Sequence, residues 1–140
     1  MIVLDTSGLL AAIDSDQRSH AAAREALERA TGPLLLSPFV LAELGYLLTT
    51  KVSSAAELAL LREVAEGRYR LEPFSSTDVA RAAEIIRGYA DFGTLGLADA
   101  SNVVLAERHD TPDILTLDER HFRALSGPGG RPFRILPFDT

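Results

Sequence analysis

The chain opens with MIVLDTSGLLA (residues 1–11), an apolar run that ends on an acidic residue. Residues 2–4 are apolar and uncharged, which indicates a short buried strand. Asp5 follows directly, and the apolar residues behind it recur at helical spacing. Ligands of open α/β sheets sit outside the carboxyl ends of the strands. Asp5 therefore lies where such a fold places its site, and the question is whether other carboxylates join it.

Composition limits the classes of protein that the chain can belong to. With 140 residues, 46% of them hydrophobic, and no cysteine, it fits one globular domain over residues 1–140 without disulfides or thiolate metal ligands. A net charge of −6 argues against a protein that coats nucleic acid. No window approaches 18 uncharged apolar residues, and Asp5 interrupts the first apolar run, so we expect a cytoplasmic protein without a membrane segment.

Strand and helix patterns alternate along the chain. Short apolar runs predict strands at 1–4, 34–36, 69–72, 114–117 and 133–136. Helical spacing predicts helices at 7–29 with a break at 14–19, and at 39–50, 54–66, 76–89 and 95–108. This alternation predicts an α/β sandwich around a mostly parallel sheet.

Three further carboxylates resemble Asp5 in lacking a local cation. Asp118 follows a predicted strand, whereas Glu43 and Asp99 interrupt apolar helix faces. The helical neighbours of Glu43 are apolar or aromatic, so we expect its carboxylate to be half-buried: Phe39, Val40, Tyr46 and Leu47. Unpaired carboxylates that cluster repel one another unless protons or metal ions neutralise them. A cluster of oxygen ligands suits Mg²⁺ or Mn²⁺ better than Zn²⁺.

Each of these residues also has a simpler interpretation. Asp5 and Asp118 are plausible turn residues after strands, and Asp118 is equally suited to cap a terminal helix. Glu43 fits an exposed helix position, and so, less well, does Asp99. We expect His121 to pack a short terminal helix rather than to take part in chemistry.

Four segments together resemble the PIN-domain ribonucleases, in particular the toxin subunits (VapC type) of bacterial and archaeal toxin–antitoxin pairs. They are MIVLDTSGLLA at the start, SPFVLAELGYLL (37–48), LGLADASNVVLAER (95–108) and ILTLDERHF (114–122). The resemblance implies a three-layer PIN fold with a central, mostly parallel sheet of about five strands in the order 3-2-1-4-5. It also implies an endoribonuclease that depends on Mg²⁺ or Mn²⁺, forms a homodimer and is neutralised by a small antitoxin.

The acidic site of this family carries over onto Asp5, Glu43, Asp99 and Asp118. Asp5 and Asp99 are then the expected direct metal ligands, Asp118 binds directly or through water, and Glu43 positions the attacking water or completes a second metal site. The residues expected to orient these carboxylates by hydrogen bonds are Ser7, Thr116 and Asn102.

The partners implied by the resemblance also have candidate residues. RNA is expected to contact arginines that follow segments starting at the site, namely Arg18, Arg120 and Arg123. The apolar row Leu58, Leu61 and Val64 is the expected dimer surface. The antitoxin is expected to dock among the first helices, near Leu9, Leu10, Ile13, Leu44 and Leu47, and to place an Arg or Lys on the carboxylates.

Other classes fit less well. A receiver domain needs an acidic pair after the first strand and a late-strand Lys, whereas the sole Lys is Lys51, at a helix end. A haloacid-dehalogenase-type phosphatase needs Asp-x-Asp where the chain has Asp5-Thr6-Ser7, and a phosphate-binding loop needs more glycine than Gly8. The alternative that stays open is a PIN-fold interaction module with weak catalysis, which binds RNA or a partner protein.

Overall fold

The computed structural model describes residues 1–139. Within them, five strands alternate with helices: β1 (Ile2–Leu4), β2 (Leu34–Leu36), β3 (Arg70–Leu71), β4 (Asp113–Leu115) and β5 (Arg134–Leu136). The helices are α1 (Thr6–Ile13), α2 (His20–Arg29), α3 (Pro38–Lys51), α4 (Ser54–Ala65), α5 (Ser76–Tyr89), α6 (Leu97–His109) and α7 (Glu119–Ala124). A short 3₁₀ turn covers Pro128–Gly130.

The strands form one parallel sheet in the order β3-β2-β1-β4-β5, which confirms the predicted order. The first strand lies at the centre, where Val3 pairs with Leu35 on one side and Ile114 on the other. All three residues of β1 are buried, because helices cover both faces of the sheet.

Alternation along β1 divides the interior into two cores. Ile2 and Leu4 face a core shared with the first four helices, whereas Val3 faces a core shared with α5 and α6. The three layers of the sandwich follow from this division. The longest helices have 14 residues, and no helix formed by residues 1–139 is long and apolar enough to cross a membrane.

Helix starts at the carboxyl edge of the sheet bring polar groups to that edge. Asp5 is the N-cap residue of α1, and the Ser37 hydroxyl caps α3 by accepting a hydrogen bond from the Phe39 amide at 3.1 Å. The Ser37 hydroxyl also lies 2.6 Å from the buried Ser101 hydroxyl of α6. This contact fixes α3 and α6 against each other across the end of the sheet.

Several predicted boundaries differ from the structure by one or two residues. The strand predicted to reach residue 117 ends at Leu115. The Thr116 amide still donates a hydrogen bond to the Leu136 carbonyl at 3.0 Å, and the Thr116 hydroxyl turns to Asp5 at the carboxyl edge. Helix α5 covers the predicted residues 76–89, and its N-cap is Ser75, which forms a reciprocal capping box with Asp78.

Gly8 sets how closely α1 approaches β4. A Cβ atom placed on Gly8 would lie 2.4 Å from the Leu115 carbonyl oxygen, a backbone atom that cannot move aside locally. We therefore expect Gly8→Ala to lower the free energy of unfolding by about 3 kcal/mol, measured by urea denaturation.

Gly88, near the end of α5, is the matched control because a Cβ there meets no atom within 4 Å. Gly88→Ala should stabilise by up to about 1 kcal/mol through helix propensity. A Gly8→Ala variant with the wild-type urea midpoint would contradict the close packing of α1 on β4.

Candidate active site

Asp5 is the most deeply buried carboxylate of the acidic edge, with 3% of its surface exposed. Its Oδ1 accepts a hydrogen bond from the Asn102 amide at 2.9 Å, and its Oδ2 accepts one from the Thr116 hydroxyl at 2.6 Å. Within residues 1–139 no basic side chain forms an ion pair with it. Burial raises the pKa of Asp5, and the hydrogen bond from Thr116 opposes that rise only in part.

Hydroxyl groups connect Asp5 to the end of β4. The Thr116 hydroxyl accepts a hydrogen bond from the Asp118 amide at 3.0 Å, and the Ser7 hydroxyl accepts one from the Leu117 amide at 2.9 Å. The two hydroxyls lie 3.2 Å apart. The segment after β4 is thereby tied to the first turn of α1, with Asp5 held between them.

Asp118 caps the terminal helix α7, as its simpler interpretation predicted. It is the N-cap residue of α7, and its Oδ1 accepts a hydrogen bond from the His121 amide at 3.0 Å. Its other carboxylate oxygen, Oδ2, lies 2.7 Å from Nδ1 of the His121 ring. One carboxylate therefore both starts the helix and faces the acidic edge.

His121 is the functional candidate that the sequence did not indicate. Its Nδ1 lies 2.7 Å from Asp118 and 3.4 Å from Asp99, so it stands between two carboxylates. That nitrogen is buried. Despite these short distances, it has no partner within residues 1–139 that satisfies hydrogen-bond geometry. One ligand atom from each of these three residues lies within 4.8 Å of the others. One feature of the sequence could have indicated this role of His121. It follows Asp118 by three residues, and that spacing places the two side chains on the same side of a helix.

Asp99, in the first turn of α6, is strongly affected by its surroundings. Burial raises the pKa of Asp99 from 3.8 to about 7, and the charges of Asp5, Asp118 and Glu43 act in the same direction. The charge of His121 lowers it, but by less. When no cation is bound, Asp99 therefore holds a proton more readily than an ordinary carboxyl does.

Glu43 is exposed, so the expectation of a half-buried side chain is wrong. The buried stripe of α3 runs through Val40, Leu44 and Leu48. Glu43 projects about 100° around the helix from the middle of that stripe. Its charge still raises the pKa values of Asp5 and Asp99, which places it at the solvent side of the same cluster.

The three arginines expected to contact RNA differ in their surroundings. Arg123 pairs with both oxygens of Asp139 at 2.8 Å and also with Glu119. Arg18 and Arg120 are exposed and form no ion pair within the part of the chain that the structure describes. Of the three, these two have guanidinium groups available to a phosphate.

The parallel sheet and the carboxylate cluster at its carboxyl edge define an α/β protein with an acidic site. The chain belongs to the PIN domain family, whose model matches residues 2–128. It is 46% identical over 136 residues to Ribonuclease VapC26 of Mycobacterium tuberculosis (strain ATCC 25618 / H37Rv), an alignment that covers 97% of this chain and 100% of that protein.

Solved structures share the fold at lower identity. VapC20 of Mycobacterium tuberculosis, described as a Sarcin-Ricin loop cleaving toxin, has a TM-score of 0.78 at 19% identity, over 84% of this chain and 90% of that one. VapBC2 from Rickettsia felis, bound to a DNA fragment from its promoter, has a TM-score of 0.57 at 20% identity. FitAcB from Neisseria gonorrhoeae has a TM-score of 0.58 at 21% identity. The matches to VapBC2 and FitAcB each cover 79% of this chain and 83% of the matched chain.

The raised pKa of Asp99 predicts a pH-dependent stability of the metal-free protein. The pKa of Asp99 is 3.8 in the unfolded chain and about 7 in the folded chain. Because the unfolded chain loses this proton more readily, the free energy of unfolding falls as the pH rises from about 4 to 7. Asp99→Asn should raise the free energy of unfolding by about 2–4 kcal/mol at pH 8 and by less than about 1 kcal/mol at pH 4. Urea denaturation in EDTA at both pH values measures the difference.

Asp16→Asn, a change at an exposed carboxylate in the loop between α1 and α2, is the control and should alter stability little at either pH. An equal gain for Asp99→Asn at pH 4 and pH 8 would show that ionisation of this carboxyl is not the cause.

Proposed function

We propose that the protein is a metal-dependent endoribonuclease and acts as the toxin of a toxin–antitoxin pair. The observation that carries the proposal is the convergence of Asp5, Asp99, Asp118 and Glu43 at one edge of the sheet, where no Lys or Arg of the described chain pairs with them and His121 is the basic side chain beside them. The 46% identical relative named Ribonuclease VapC26 supports RNA as the substrate. In this proposal residues 1–140 act as one PIN domain in the cytoplasm.

The donor set fits a small divalent cation, Mg²⁺ or Mn²⁺. Carboxylate oxygens are the ligands that both ions take in proteins, and the partnerless Nδ1 of His121 adds a nitrogen that Mn²⁺ accepts more readily than Mg²⁺. Asp5, Asp99 and Asp118 would hold the ion, with Glu43 at the solvent side. When bound, the cation supplies positive charge for the phosphodiester and lowers the pKa of water.

Other roles in the reaction are assigned to side chains of the protein. Asn102 and Thr116 fix the orientation of Asp5 through hydrogen bonds to its two carboxylate oxygens. The exposed Glu43 is placed to orient water and to accept its proton. As the water oxygen forms a bond to phosphorus, the bond from phosphorus to the leaving 3′ oxygen breaks, and that oxygen takes a proton from solvent.

Neutralising Asp5 or Asp99 tests this assignment. Asp5→Asn and Asp99→Asn should each lower RNA cleavage in Mg²⁺ or Mn²⁺ at least about a hundredfold, because a charged ligand is lost while the shape is kept. Cleavage sites mapped in total RNA provide the assay, and EDTA should abolish wild-type cleavage. Asp16→Asn should cleave like the wild type.

Calorimetric titration separates metal binding from catalysis. Both Asn variants should bind Mn²⁺ more weakly than the wild type, and His121→Ala should lose Mn²⁺ affinity while changing Mg²⁺ affinity less. Near wild-type cleavage by either Asn variant would refute the site assignment. RNA binding without any metal-dependent cleavage by the wild type would instead favour the interaction module.

We also propose an antitoxin and a second copy of the chain as partners. The docking site predicted for the antitoxin needs correction, because Leu9, Leu10 and Leu44 are buried in the core and cannot receive a partner. On α4, Leu58 and Leu61 are 61% and 41% exposed, which leaves an apolar surface for a homodimer. The antitoxin is proposed from the resemblance to VapC-type toxins, which the 46% identical relative named Ribonuclease VapC26 supports.

Light scattering with a charged substitution tests the dimer. The wild type should have the mass of two chains at micromolar concentration, and Leu58→Asp should have the mass of one because a buried charge would oppose association. Val79→Asp, at an exposed position of α5, is the matched control and should stay dimeric. A monomeric wild type would refute this interface.

A further inference from the structure

Three aromatic rings lead from the acidic edge to the protein surface. The ring of His121, between Asp99 and Asp118, packs edge-on against Tyr89 at 5.3 Å between centroids. Tyr89 packs in turn against Phe92 at 5.6 Å. Tyr89 is buried, with 4% of its surface exposed, whereas Phe92 is 62% exposed.

The loop that carries Phe92 borders the site at both of its ends. At its start, the Phe92 amide donates a hydrogen bond to the Tyr89 carbonyl at 2.8 Å, which fixes the loop to the residue that touches His121. At its end, a Cβ atom on Gly96 would lie 4.0 Å from Oδ2 of Asp99. Leu95, buried at 4% exposure, anchors the loop between these points. Phe92 is therefore held at the rim of the acidic cluster.

The exposure of Phe92 has no explanation in the packing of the described chain. It is the most exposed of the six phenylalanines, and a ring in water gives up the free energy that burial would supply. Its neighbours in the loop, Asp91, Gly93 and Thr94, are exposed and not apolar. The nearest large exposed apolar side chain along the chain is Leu97, at the start of α6, and one ring with one aliphatic side chain offers far less apolar area than a protein interface needs.

We propose that Phe92 is a base-stacking residue, which holds a nucleobase of the RNA beside the scissile phosphate. The inference rests on the proposed ribonuclease activity and adds a substrate contact to it. Unpaired RNA bases stack on exposed aromatic rings, and stacking tolerates any sequence because every base has a π-face. Arg120, exposed and next to His121 in the sequence of α7, forms no ion pair within the described chain and is available for a neighbouring phosphate.

Kinetics of a truncated ring provide the first test. Phe92→Ala should raise KM for a single-stranded RNA on the order of tenfold while kcat stays within about twofold, because the ring contacts a base but none of the carboxylates. Phe138→Ala, which removes another exposed ring from outside this loop, is the matched control and should leave both constants unchanged.

A spectroscopic test reports stacking directly, because the chain contains no tryptophan. Phe92→Trp, in an Asp5→Asn background that prevents cleavage, introduces a single indole whose fluorescence a stacked base should quench. Oligoribonucleotides with one abasic nucleotide, moved stepwise along the cleaved sequence, should lose the quenching at one position. Val79→Trp in the same background is the control, since it lies about 15 Å from Tyr89 along α5 and should not respond.

The outcomes separate the two proposals. Equal RNA affinity of the Asp5→Asn protein with and without the added Phe92→Ala change, together with a silent indole in Phe92→Trp, would overturn the stacking role and leave the ribonuclease proposal intact. Dissociation of a dimer by Phe92→Ala at unchanged KM would assign the ring to a protein interface and also overturn it. Failure of the wild type to cleave RNA with either metal would refute the ribonuclease proposal itself.

Discussion

The buried carboxylate of Asp5 is the constraint on which the rest of the site depends. A carboxylate with 3% exposure and no cation is unfavourable unless polar groups replace its water. The amide of Asn102 on α6 and the hydroxyl of Thr116 after β4 do so, at 2.9 and 2.6 Å. These contacts require α1, α6 and the end of β4 to meet at one point. The close approach of Gly8 to Leu115 is the packing that permits it.

The clustering of these carboxylates lowers the stability of the metal-free fold. Hydrogen bonds from Asn102, Thr116 and Ser7 do not neutralise Asp5, and Asp99 and Asp118 add negative charge around it. The metal-free fold therefore retains repulsion that its core must outweigh, as is common where a site is prepared for a ligand. A cation that binds only the folded chain would remove this repulsion and stabilise the fold by linkage. The site is thus ordered by the protein but electrostatically complete only with a positive charge.

Topology was the part of the site that the sequence could predict. The alternation of strands and helices, together with the family resemblance, indicated that carboxylates after strands and at helix starts would meet at one edge, and the confirmed strand order brings them there. Side-chain direction was not predictable in the same way. Glu43 is exposed because the buried stripe of α3 lies about 100° away from it, a fact that depends on which face meets the sheet. His121 enters the cluster only because β4 ends at Leu115 and Asp118 starts α7.

The distribution of positive charge bears on how such a site could hold RNA. Of the 14 basic side chains, nine form ion pairs within the described chain, among them Arg81 with Glu107 and Arg123 with Asp139. Guanidinium groups engaged in this way would have to give up a carboxylate before they could bind a phosphate. Few counterions would then be released on RNA binding, so affinity would depend only weakly on salt. Recognition by this acidic protein must therefore draw on contacts other than phosphate pairing, and an exposed ring beside the cluster supplies one that needs no charge.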